Sequence, residues 1–133
     1  MGPIQKEESR DQVVKRMIKL MDEAKQSNTD LIVFPELALT TFFPRYYMED
    51  QAEVDEWFET SIPNHSTQPL FDAAQRYGMG FHLGYAEKLK EEGITHRYNT
   101  AILVEPSGNV VGKYRKIHLP GHAEFDPDRA FQH

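Results

Sequence analysis

The 133-residue sequence contains no cysteine. That absence excludes disulfides, cysteine-ligated zinc and a cysteine nucleophile within these residues. Basic residues are in deficit: 15 Lys and Arg stand against 21 Asp and Glu, a net charge of −6. A chain with this balance lacks the basic face that non-specific binding to nucleic acid or a membrane surface requires. No apolar run approaches a membrane span, and no signal-peptide pattern follows Met1. The expectation is a soluble, cytoplasmic protein with no nucleic-acid and no membrane partner. Internal repeats and low-complexity tracts are missing too. Gly78-Met79-Gly80 is no phosphate loop, because the third glycine and the following helix are absent. His118 and His122 have an i, i+4 spacing that pairs ligands only on a helix, and Pro120-Gly121 forbids a helix there. His122-Ala123-Glu124 lacks the cysteine pair of a zinc deaminase. No metal and no cofactor is expected.

What is present is organised around Asp30-Leu31-Ile32-Val33-Phe34-Pro35-Glu36. The apolar run, β-branched at its centre and too short for a helix, reads as a buried strand over 30–34. Pro35 removes a ladder donor and ends the pairing. Glu36 then stands at the carboxyl end of the strand, where open α/β sheets hold their chemistry. Desolvation there would raise its pKa toward that of a useful general base. An acid that caps a loop or pairs with a surface lysine fits the same residues.

Ser9-Arg10-Asp11-Gln12 has the form of a capping box, and Val13, Val14, Met17, Leu20, Met21 and Ala24 recur at helical spacing. A helix over 10–26 follows, with its methionines in the core and Asn28 as a left-handed stop. Residues 37–48 show neither period. Their aromatics suggest a loop packed over Glu36, or else a satellite hydrophobic cluster. Residues 49–60 are acid-rich, with Trp57 and Phe58 anchoring a short helix and the acids forming a solvated face. Ser66 or Thr67 caps a second helix over 69–77 that carries Leu70, Phe71, Ala74 and Tyr77 and stops at Gly78. A strand over 79–87 completes a βαβ unit with parallel strands. Tight turns at 90–93 and 106–109 then separate strands 96–104 and 110–118, which are antiparallel neighbours. The fold class is α/β with a mixed sheet. Both ends look cut, so residues 1–133 read as one incomplete domain.

Alternation along 110–118 puts Tyr114 and Lys116 on one face and Lys113, Arg115 and Ile117 on the other. Lys116 would meet Glu36 as a partly buried pair in a dry cavity. A basic, solvated edge strand is the alternative.

Phe34-Pro35-Glu36-Leu37-Ala38-Leu39-Thr40, followed by Tyr114-Arg115-Lys116-Ile117-His118-Leu119, resembles the nitrilase superfamily of carbon–nitrogen hydrolases. The longer strings Leu37 to Arg45 and Lys116 to His122 are most similar to its N-carbamoyl-D-amino-acid amidohydrolases. The resemblance implies an α-β-β-α sandwich, of which this chain carries the amino-terminal half: a mixed sheet with two main helices on one face. It implies a small-molecule N-carbamoyl or amide substrate, a homo-oligomeric full-length parent and a Glu-Lys-Cys mechanism. In that scheme Glu36 is the general base and Lys116 the cation beside the oxyanion. His118 and His133 resemble histidines that hydrogen-bond near the family's active site. Asn99-Thr100 looks like a structural element. The family's cysteine and second active-site glutamate lie beyond His133, and its first strand lies ahead of Gly2. The chain as given is therefore expected to be inert. A nitrilase-like binding module, an amidase acting on another substrate such as N-carbamoylputrescine, and an unrelated α/β domain are the competing readings.

Overall fold

In the computed structural model, which describes residues 1–119, Ser9 starts helix α1 (Arg10–Gln26). Its hydroxyl accepts from the Gln12 amide while the Gln12 side chain accepts from the Ser9 amide, closing the capping box. The helix ends at Ser27, and Asn28 follows with a φ of 55°. The chain then enters β1 (Leu31–Val33), passes a 3-10 turn at Phe43–Arg45 and a short helix α2 (Gln51–Asp55), and forms α3 (Gln68–Tyr77). Three strands close the order: β2 (Gly80–Glu91), β3 (Ile94–Val104) and β4 (Val110–Arg115).

The sheet order is β1-β2-β3-β4, with β1 parallel to β2 and the other pairs antiparallel. It is the mixed α/β sheet that the element order implies: βαβ first, meander after. The β2–β3 hairpin is longer than its sequence suggests. It runs to a two-residue turn at Glu92-Gly93, both with positive φ, the geometry that matches strand twist. Thr67 precedes α3 but does not cap it, since its hydroxyl and amide are engaged with Asn64.

One face of the sheet is packed. Phe81, Leu83 and Tyr85 of β2 and Ile102 and Val104 of β3 meet Val13, Met17 and Met21 of α1 and Leu70, Phe71 and Ala74 of α3. The opposite face is open. Leu31 and Val33 are 47% and 66% exposed, and Leu103 and Tyr114 also lie at the surface. The strand expected to be buried is thus covered on one side only: α1 and α3 lie against the same face, and β1 is one of the two edge strands among the described residues.

Beyond β1 the edge of β2 stays paired. Ala38 donates to Gly84 O, and Glu59 both donates to Ala86 O and accepts from the Lys88 amide. This brings residues 37–59 alongside the sheet. Leu37, Phe43 and Ala86 are buried together, with Tyr46, Met48, Trp57 and Phe58 around them. The satellite cluster is the arrangement formed, and it does not seal Glu36 from solvent.

Candidate active site

Two chain segments must converge for the site to exist, and each is placed by a backbone device. On the first, Phe34 donates its amide to His82 O, and His82 Nδ1 lies 3.2 Å from Phe34 O. Pro35 then ends the ladder and the chain crosses directly over Gly84. A Cβ at residue 84 would lie 3.0 Å from both Glu36 Cα and Pro35 O. Only glycine permits this approach. Leu37 takes a φ of 50°, turning the chain so that Ala38 can bond Gly84 O at 2.8 Å. The Glu36 side chain is left on the open face of the sheet.

The second segment is β4. Its alternation sends Lys113 and Arg115 to the helix-covered face, where both bond the buried Glu87. Thr100 donates to the same carboxylate, so Glu87 accepts four hydrogen bonds from three side chains. Tyr114 lies on the other face. The strand ends at Arg115, but Lys116 still donates its amide to Asn99 O at 2.8 Å, which keeps the next side chain in phase with Tyr114.

The outcome is contact. Lys116 Nζ lies 2.8 Å from Glu36 Oε1 across 80 positions of sequence. Asn99 Nδ2 donates to that same oxygen at 2.5 Å. The pair is not dry, however: the Lys116 and Glu36 side chains are 37% and 48% exposed. The expected rise in the Glu36 pKa is overturned as well. The Lys116 hydrogen bond holds the carboxyl below its ordinary value, burial opposes this, and the Asn99 bond adds to the lowering. A direct cationic donor outweighs partial desolvation.

His118 is exposed, and among the described residues no hydrogen bond or ion pair joins it to Glu36 or Lys116. His133, His122 and Glu124 lie outside the described residues. Among the described residues no group of three His, Asp or Glu side chains is placed to hold a metal. A groove of about 630 Å³ follows the outer edge of β1, lined by Met1, Leu20, Ile32, Val33 and Phe34, and does not reach Lys116.

Asn99 is the residue whose part sequence reasoning missed. Read as a structural element, it touches Glu36 through its side chain and Lys116 through its carbonyl. The available signal was an Asn within a strand, where Asn is depleted, on the same alternation face as Ala101. Gly84 carried a similar signal, since an isolated glycine in a strand marks a close backbone approach. Of the acids of 49–60, Glu49, Asp50, Glu53 and Glu56 are exposed as expected, but two are not part of a solvated face. Asp55 binds Arg97 and Lys88, and Glu59 is buried against Arg10 and Asn64.

Known proteins share the sequence pattern and the fold of this chain. The carbon–nitrogen hydrolase family profile matches residues 1–132. A nitrilase from Pyrococcus abyssi is 39% identical over 101 residues, covering 76% of this chain and 35% of its own length. An omega-amidase from Xenopus tropicalis is 30% identical over 115 residues, covering 83% of this chain and 38% of its own. The crystal structure of a carbon–nitrogen hydrolase from Helicobacter pylori superposes with a TM-score of 0.70 at 23% identity, over 98% of this chain and 42% of that one. With its mixed sheet and helix-covered face, this protein shares the nitrilase-like fold. The chain belongs to the carbon–nitrogen hydrolase family. It spans well under half the length of these relatives.

Proposed function

We propose that this chain supplies the acid and the ammonium of a hydrolase for non-peptide carbon–nitrogen bonds, with N-carbamoyl amino acids as the substrate class. The observation that carries the reading is the 2.8 Å contact between Lys116 Nζ and Glu36 Oε1 at the carboxyl ends of β4 and β1. The chemistry each group would perform follows from its charge. Glu36 is ionised at neutral pH and takes the proton of a thiol, so that the thiolate can attack the amide or ureido carbon. Lys116 faces the negative charge that develops on the attacked oxygen. Glu36 returns its proton to the departing amine, then accepts one from the water that releases the acyl group. The carbamoyl assignment is supported by the likeness of the sequence strings 37–45 and 116–122 to N-carbamoyl-D-amino-acid amidohydrolases.

The thiol must come from outside these 133 residues, which contain no cysteine. The purified chain, assayed for ammonia release from an N-carbamoyl amino acid, should show no turnover above buffer. Turnover would overturn the cysteine-dependent mechanism. In a polypeptide that does supply the cysteine, Lys116→Ala should lower kcat/KM by about 2–4 kcal/mol of transition-state stabilisation, the scale of one oxyanion donor. Near-normal kcat/KM in that variant would remove Lys116 from the mechanism.

A further inference from the structure

Glu36 is bonded asymmetrically. Lys116 Nζ and Asn99 Nδ2 both reach Oε1, and among the described residues no donor reaches Oε2. Asn99 lies directly across the ladder from Ala86, two residues along β2 from the glycine on which the Glu36 backbone rests. Its carbonyl is committed to the Lys116 amide at 2.8 Å. One strand residue therefore holds the main chain of the cation and the side chain of the acid. Only the NH2 end of its amide suits a carboxylate oxygen, since the carbonyl end would face like partial charge.

We infer that Asn99 is a positioning residue, which pins Oε1 of Glu36 and leaves Oε2 as the oxygen that exchanges protons. The inference rests on the reading of Glu36 as the base and adds to it the choice of oxygen. A carboxylate held by Lys116 alone can rotate about that contact. A second donor on the same oxygen, fixed to a β-strand, removes the rotation. Anchoring by Asn99 also accords with the direction in which the Glu36 pKa moves.

The test is nuclear magnetic resonance on the 133-residue chain. At neutral pH the Asn99 side-chain amide proton should sit downfield and return toward a free-amide position in Glu36→Ala. An amide insensitive to that substitution would overturn the inference without any acid titration. In Asn99→Ala the Glu36 carboxyl midpoint should rise by roughly half a pH unit or more, as expected when a carboxylate loses a donor. Asn99→Asp preserves the shape but replaces the donor with a charge, so the midpoint should rise further, a result that lost packing cannot produce. Lys116→Ala separates the two claims. If it moves the Glu36 midpoint while Asn99→Ala does not, Asn99 has no positioning part and the pair stands. If Asn99→Ala moves the midpoint and Lys116→Ala does not, the pair fails and the anchoring by Asn99 stands.

Discussion

At the scale of single residues, the carboxylates divide by the company they keep. Glu87 is buried, which pushes its carboxyl up, but hydrogen bonds from Arg115, Lys113 and Thr100 outweigh burial and hold it at about 2, against an ordinary 4.5. Asp55 is held at about 2 by Arg97 foremost, against burial and with help from Gln51 and Lys88. Both folded values lie below the unfolded ones, so both groups stabilise the fold above about pH 4.5, and this stability drains away as pH falls toward 2. Chemical denaturation at pH 7 and pH 3 should therefore differ, and Glu87→Gln should flatten the difference. A Glu87→Gln profile as steep as the parent's would place the acid sensitivity elsewhere. Gly84 makes a separate residue-scale prediction. A methyl at that position meets main chain at 3.0 Å, which cannot rotate aside as a side chain would. Gly84→Ala should destabilise by about 1–3 kcal/mol, the range for overpacking, read from the urea midpoint. An unchanged midpoint would mean that residues 35–37 give way freely.

At the scale of elements, β4 is tied to the sheet by a clamp on Glu87. Arg115 reaches Glu87 through both Nε and Nη2 and lies over the Tyr98 ring, 4.1 Å from its centroid. Removing it leaves a buried carboxylate with Lys113 and Thr100 as its remaining partners. Arg115→Ala should cost about 1.5–3 kcal/mol, the worth of hydrogen bonds to a charged group. Hydrogen exchange should be fastest in the β3–β4 ladder of that variant, and uniform acceleration would argue against a local clamp. Elements with strong local signals were legible from sequence. The capping box and methionine stripe of α1 gave its bounds, and the glycine stop of α3 gave its end. The tip of the β2–β3 hairpin was less legible, because pairing carried β2 and β3 past the polar residues that look like a turn. The partner of Glu36 was legible only as an alternation face. Its second donor was not, since a contact between residues 36 and 99 is decided by how the sheet folds back on itself.

At the scale of the whole molecule, one face of the sheet carries the helices and the other carries the site. Leu31 and Val33 are exposed for this reason, while Phe34 is buried in the core as expected. A run of apolar residues states that a strand has two apolar faces, not that both are covered. Leu31, Val33, Leu103 and Tyr114 form an exposed, largely apolar surface that ends at Glu36 and Lys116. A surface of this kind draws apolar ligands. The chain should enhance the fluorescence of a hydrophobic dye in its native state, and Val33→Lys should reduce the signal without lowering the melting temperature. Dye binding that Val33→Lys leaves intact would locate the apolar surface elsewhere.

The irregularity between β3 and β4 bears on all of this. Val104 pairs with Val110 and Leu103 with Gly112, so β4 spends one extra residue, Val111, at that step. Because side chains alternate, a slip of one position beyond it would swing Lys116 to the far side of the sheet and turn the Glu87 ligands outward. The bulge works like a spacer in a ratchet. It absorbs a single count of sequence, and Glu36 and Glu87 each meet their own cations because that count is kept.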